Sequence, residues 1–317
     1  SSHFSSSDYS ARSDSGCVGC FANIVNAMFS LCKNSTAETA EEVVTPAPTG
    51  TMPTSAADMP RQTSDYMHGV RTARDERVAP ERALAKLQEG NARFVSGTNT
   101  RANFDAEHRQ ALAAHGQNPM AAIIGCADSR APIEILFDAL PGDIFTLRNA
   151  GNTLSHAEGS MVGSVEYCVG PLGAKLIVVL GHTKCGAVMG ATQTMLASKK
   201  AGGAASEKQT TLDKLLAGLA PVVQQAQAEL KGTESAEEIA AHAIQVNVFA
   251  GIEKLLIYSE PIRAKVKSGE VQVHGAVYDI VSGKVNFLGQ HPRLSLILGM
   301  QAGLSKEEAV PEAAIGA

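Results

Sequence analysis

Residues 121–187 read AAIIGCADSRAPIEILFDALPGDIFTLRNAGNTLSHAEGSMVGSVEYCVGPLGAKLIVVLGHTKCGA, and their rhythm decides the fold. Ala121–Gly125 is a short apolar run, followed by a helix-like Pro132–Leu140. Asp143–Leu147 is a second run, with a helix expected over Gly159–Val169. Lys175–Leu180 (KLIVVL) is a third, and a further helix opens near Cys185. Continuous apolar runs that alternate with helices indicate βαβ units, whose strands are buried on both faces. The fold class is therefore α/β, a mostly parallel central sheet flanked by helices.

Upstream, Pro80–Phe94 (PERALAKLQEGNARF) has Pro near its start and Leu84, Leu87 and Phe94 on roughly one face, so it reads as a helix. A second, polar helix is expected over Ala106–His115. Downstream, Leu212–Leu230 and Ala236–Ser259 read as longer helices. Val271–Tyr278, the turn Ser282-Gly283 and Lys284–Leu288 then form a terminal hairpin, which extends the sheet at its C-terminal end. No repeat at solenoid periods interrupts this order.

The flanks have a different texture. Residues 1–78 are rich in Ser, Thr, Pro and Ala and have few aliphatic side chains to offset the entropy of ordering, so a largely disordered leader is expected. One island, residues 17–32 (CVGCFANIVNAMFSLC), places Phe21, Ile24, Val25, Met28 and Cys32 at helical spacing. This amphipathic helix is too short to span a bilayer, which takes roughly 20 apolar residues. With Cys17, Cys20 and Cys32 it suits peripheral tethering to a membrane or a partner. A leader with no such role is the plainer alternative. The globular part is expected over residues 79–290, with 291–317 a C-terminal extension.

Composition removes several function classes. The chain has 317 residues, a net charge of −5, 4% aromatic residues and no Trp, and a pI near 6.0. Neither a basic footprint nor a base-stacking platform for nucleic acid is present. No run is long enough to cross a membrane, so the expectation is a soluble protein, intracellular or organellar, with chloroplast and mitochondrion both open.

The chemistry gathers at strand ends. Cys126 closes the first apolar run, His182 follows the third, and Cys185 lies three residues later at a helix start. In open parallel sheets, ligands bind beyond the carboxyl ends of the strands. Two thiolates and one imidazole form a soft donor set suited to zinc, and three protein ligands leave the fourth tetrahedral position for water. Each residue alone also suits a buried core position; their joint placement favours the metal. Cys168, in an apolar helical stretch, reads as core. Asp128 and Arg130 follow Cys126 closely enough for a charge-assisted pair that holds an acceptor beside the metal.

The blocks CADSR (residues 126–130), RNAGN (148–152), GSVEY (163–167) and GHTKCGA (181–187) resemble, in order and approximate spacing, those of β-class carbonic anhydrases. The resemblance runs from Pro80 to about Leu288. It implies one zinc per subunit on Cys126, His182 and Cys185, and reversible hydration of carbon dioxide to bicarbonate and a proton by hydroxide formed at the metal. Asp128 and Arg130 would be the catalytic dyad, and Asp128 could instead become a fourth ligand in a closed state. Phe145 and Tyr167 would line the apolar side of the substrate pocket, with Gly151 and Gly163 where backbones approach closely. A homodimer or higher homo-oligomer is implied. His156 is the nearest candidate proton shuttle. A carbon disulfide-type hydrolase on the same site is the rival enzyme reading, and a non-catalytic zinc or interaction module the rival of another class.

Overall fold

The computed structural model describes residues 70–100, 104–154, 159–200, 210–231 and 235–299. The expectations for residues 17–32, and for Cys17, Cys20 and Cys32, lie outside these residues, as do those for His156 and for the end of the chain after residue 299.

Five strands form one sheet in the order β2-β1-β3-β4-β5. β1 (Ala121–Cys126), β2 (Ile144–Asn149), β3 (Leu176–His182) and β4 (Gln272–Tyr278) run parallel, and β5 (Val285–Gly289) returns antiparallel to β4. β1 and β3 are buried at every position, which is why they read as unbroken apolar runs rather than alternating ones. Successive side chains still go to opposite faces. Ala122, Ile124, Ile177, Val179 and Val273 join one core, and Ala121, Ile123, Leu176, Val178 and Ala276 join the other.

Helices cover both faces. α1 (Pro80–Ser96) begins with Pro at its first turn and ends at Gly97 in the left-handed conformation, whose N–H returns to Phe94 and whose neighbour returns to Arg93. Its Ala83 and Leu87 pack on the second core together with Ile133 and Leu136, while α2 (Ala106–His115) buries no residue. The opposite face carries α4 (Ser160–Val169), α5 (Gly186–Lys200), α6 (Thr211–Ala217), α7 (Ala220–Glu229), α8 (Ala236–Tyr258) and α9 (Glu260–Lys267). α8 starts at a reciprocal cap between Ser235 and Glu238 and lies across β3 and β4.

Two expectations are corrected. The helix expected over Pro132–Leu140 is a single turn, α3 (Ile133–Leu136). Asp138 turns the chain out of it with φ of 48°, and its buried carboxylate is held by Arg93 at 2.7 Å and by the Thr100 N–H and hydroxyl. The helix expected over Leu212–Leu230 is two, because the chain breaks at Gly218 and Leu219 and restarts with Pro in the first turn of α7. The helix expected over Ala236–Ser259 is found as α8, and two further helices that the sequence reading did not address follow it. The Ser259 hydroxyl caps α9, and a last helix, α10 (Leu294–Gly299), follows the hairpin.

β1 connects to β2 on one side of it, and β3 connects to β4 on the other. The sheet therefore reverses its winding between β1 and β3, and a crevice opens at their carboxyl ends. Cys126 is the last residue of β1 and His182 the last of β3.

Candidate metal centre

Cys126, His182 and Cys185 meet in that crevice, all three buried, with their sulfur and nitrogen atoms within 4.8 Å of one another. One ion making bonds of about 2.0–2.3 Å would fit between such donors. The imidazole carries the clearest sign of a missing partner. His182 Nδ1 lies 2.9 Å from the Thr183 carbonyl oxygen, which can only accept, so Nδ1 bears a proton and, in the neutral ring, Nε2 is the lone pair. Nε2 is sealed from solvent and has no hydrogen-bond partner. A buried acceptor left unpaired costs free energy, and a metal ion would relieve it with the tautomer already set.

The His-x-x-Cys turn is shaped by its own backbone. Lys184 adopts φ of 56°, a left-handed conformation that swings the chain so that Cys185 returns towards His182. Thr183 anchors the turn to the hairpin: its N–H donates to the Tyr278 carbonyl at 2.8 Å, and its hydroxyl accepts from the Ile280 N–H at 3.1 Å.

Cys126 Sγ accepts the Gly151 N–H at 3.3 Å and the Asp128 N–H at 3.5 Å. The two thiols share protons unequally. Hydrogen bonding from Cys185 outweighs burial and, with His182 and these two amides, lowers the Cys126 pKa to about 4. Cys185 next to that thiolate is pushed well up. Burial disfavours a charged His182, but the neighbouring Cys126 and Asp128 anions more than compensate and raise it. The pocket favours positive charge, as a cation site should.

Asp128 sits at the rim with Oδ2 3.9 Å from His182 Nε2. Arg130 holds it by a fork, Nε to Oδ1 at 3.0 Å and Nη2 to Oδ2 at 2.7 Å, and the Arg130 N–H adds 2.9 Å to Oδ1. These bonds lower the carboxyl pKa to about 2, so it remains an acceptor at any working pH. Arg130 Nη2 also reaches the Lys184 carbonyl at 3.2 Å, joining the two loops.

The RNAGN block is a clamp in which Arg148 and Asn149 were given no role from the sequence. Arg148 Nε and Nη2 donate to the Cys126 and Asp128 carbonyls at 2.8 and 2.6 Å. The Asn149 side chain brackets the turn, exchanging two 2.8 Å bonds with the Thr153 backbone. Asn247, from the middle of α8, donates to the Gly151 carbonyl at 2.9 Å. The only signal for Asn247 was an amide flanked by Val246 and Val248 in the largely apolar stretch AIQVNVFAG (residues 243–251).

Of the remaining expected residues, Phe145 and Tyr167 pack ring to ring at 6.2 Å with a 53° tilt, and Tyr167 is 50% exposed. Gly151 needs to be glycine: its φ is 74°, and a β-carbon would come within 3.2 Å of Ala187 Cβ. Around Gly163, no described atom beyond its chain neighbours and its own helix backbone lies within 4 Å of where a β-carbon would be. Cys168 is buried core with its thiol pushed up to about 12 by burial.

Comparison with known proteins agrees with this architecture. Residues 121–285 match the family model described as carbonic anhydrase. Carbonic anhydrase 2 of Mycobacterium tuberculosis is 35% identical over 205 residues, which cover 65% of this chain and 91% of that protein. A carbonic anhydrase of Pseudomonas aeruginosa is 36% identical over 179 residues, covering 54% of this chain and 74% of that one. Among solved structures, the beta-carbonic anhydrase CcaA superposes with a TM-score of 0.50 at 25% identity, over 65% of this chain and 98% of that chain. With its family blocks gathered around one Cys-His-Cys cluster on a β2-β1-β3-β4-β5 sheet, the chain belongs to the β-class carbonic anhydrases and is an enzyme of the lyase type.

Proposed function

We propose that this protein hydrates carbon dioxide reversibly to bicarbonate and a proton, using one zinc ion per subunit held by Cys126, His182 and Cys185. The observation that carries the reading is the buried, unpartnered His182 Nε2 facing two sulfurs, with the Asp128 carboxylate 3.9 Å away. Zinc suits a donor set of two thiolates and one imidazole, and when bound it supplies Lewis acidity that lowers the pKa of water.

The chain's own groups do the rest. Asp128, kept ionised by Arg130, offers only acceptor lone pairs, so it selects a hydroxyl donor beside His182 and turns its proton towards the carboxylate. Oδ2 accepts one bond from Arg130 and keeps a further lone pair, so in a closed state Asp128 would serve as fourth ligand through this oxygen, which lies 3.9 Å from His182 Nε2. Arg148 and Gly151 hold the Cys126 loop at fixed depth. Phe145 and Tyr167 provide apolar surface for a linear, nonpolar substrate, and the half-exposed Tyr167 suits a pocket completed by a second copy in a homodimer or larger homo-oligomer.

The test is zinc content and stopped-flow hydration on the purified protein. One zinc per chain with hydration activity is expected. Asp128→Ala and Arg130→Ala should each lose most activity and keep zinc, while Cys185→Ala should lose the metal. Full activity in either dyad variant would remove the dyad assignment.

A further inference from the structure

Asn247 is buried in the apolar middle of α8, 96 residues from the turn it touches. Its neighbours Val246 and Val248 are core residues, and an amide among them is costly unless it is paired. Its Nδ2 spends a hydrogen bond on the Gly151 carbonyl, at 2.9 Å in a buried setting. On the other side of the same α-carbon, the Gly151 N–H donates to Cys126 Sγ at 3.3 Å. Gly151 stands in the left-handed region, φ 74° and ψ 19°. Glycine visits that region readily but is not confined to it.

We infer that Asn247 is a positioning residue for the metal site, pinning the Gly151 carbonyl so that the Gly151 N–H stays aimed at the Cys126 sulfur. The inference rests on the zinc reading above and deepens it. Without the Asn247 amide, the Gly151 carbonyl is buried with its bond lost, and the turn relieves this by rotating about the glycine. That rotation carries the N–H off the sulfur. Cys126 then becomes a more electron-rich and less well-oriented thiolate. Groups in the layer around metal ligands commonly govern affinity by about 10- to 100-fold. Asn247 acts through a backbone, so the lower end is expected.

The experiment uses the full chain loaded with zinc, and separately with cobalt(II) as a spectroscopic probe. Asn247→Leu removes the donor at similar volume; Asn247→Ser, too short to reach Gly151, serves if the leucine variant does not fold. Leu255→Ala, a core truncation two turns along the same helix, is the control for general destabilisation. Expected are about tenfold faster zinc transfer to a chelator and a thiolate-to-cobalt charge-transfer band moved to longer wavelength in the Asn247 variants. Leu255→Ala should melt earlier yet keep the wild-type band and release rate. An unchanged band and release rate in the Asn247 variants overturns the inference, as does an equal shift in Leu255→Ala. A wild-type protein that takes up neither metal overturns the zinc reading itself, and this inference with it.

Discussion

Arg148 Nη2 donates to the carbonyl oxygen of Asp128 at 2.6 Å. Its Nε takes the Cys126 carbonyl at 2.8 Å, so one planar guanidinium spans the backbone on both sides of Ala127. The side chain is exposed, and polar contacts of an exposed group contribute little to global stability. The value of this fork is geometric: it fixes the distance between the Cys126 thiol, a proposed metal ligand, and the Asp128 carboxylate, the proposed acceptor.

Lysine cannot reproduce a fork, because its ammonium is a single point donor. Arg148→Lys should therefore keep its melting temperature within a few degrees but lose about tenfold in kcat/KM, about 1.4 kcal/mol of transition-state stabilisation. Stopped-flow hydration measures this directly. Wild-type kcat/KM in Arg148→Lys would mean that the loop holds its shape without the clamp.

Removing the metal should cost stability as well as activity. The site brings together two cysteines and a histidine that have no reason to cluster in the unfolded chain, so binding adds to folding by mass action. For an ion present at about a thousand times its dissociation constant this is about 4 kcal/mol, or about 10 °C in melting temperature for a domain of this size. A chelator should lower the melting temperature by that amount and zinc should restore it. Magnesium, which prefers oxygen ligands, should not. Recovery with magnesium would contradict a soft-donor site.

Asp143 sets a pH dependence far from the chemistry, just before β2 at the amino end of the sheet. Its Oδ2 accepts the Leu140 N–H at 2.8 Å, while Oδ1 is buried without a partner. Burial pushes its pKa up to about 6 from an ordinary 3.8. A group whose folded pKa is raised binds its proton more tightly in the native state, so its contribution is greatest below pH 4 and is lost as pH rises to 6. Asp143→Asn keeps the acceptor and removes the charge. It should be more stable than wild type above pH 6, by about 1–3 kcal/mol, with the difference shrinking towards pH 4 and hydration activity unchanged. Denaturant unfolding at several pH values decides it, and a pH-independent difference would refute the buried charge.

Much of this was legible because it is local or periodic. β1 and β3 announce themselves by unbroken apolar runs, and Cys126, His182 and Cys185 stand where those runs stop. What was hidden depends on partners distant in sequence. α3 ends after one turn because Asp138 is captured by Arg93, 45 residues earlier. Arg148 and Asn247 look like an ordinary strand arginine and an ordinary helix amide until the fold brings them to carbonyls 20–22 and 96 residues away. The α9 helix is a different case. Ser259, Glu260 and Pro261 form a local start signal, obscured by the apolar helix that ends directly before it.

The two glycines in the family blocks separate backbone need from coincidence. At Gly151 an alanine must hold φ near 74°, at about 1–2 kcal/mol for an L residue, and must seat its methyl 3.2 Å from Ala187 Cβ. The turn yields first, because α5 on the other side is packed into the core. Its N–H then leaves the Cys126 sulfur, so Gly151→Ala should lose both metal affinity and hydration activity. At Gly163, inside α4, the φ is ordinary and no described atom beyond its chain neighbours and its own helix backbone lies within 4 Å of the added carbon. There alanine gains helix propensity of about 1 kcal/mol, and Gly163→Ala should be active and slightly more stable. Metal content, activity and melting temperature of the two variants, measured side by side, test the contrast. An inactive Gly163→Ala with normal melting would place a second subunit against that face of α4, and a fully active Gly151→Ala would detach the Gly151 turn from the metal site.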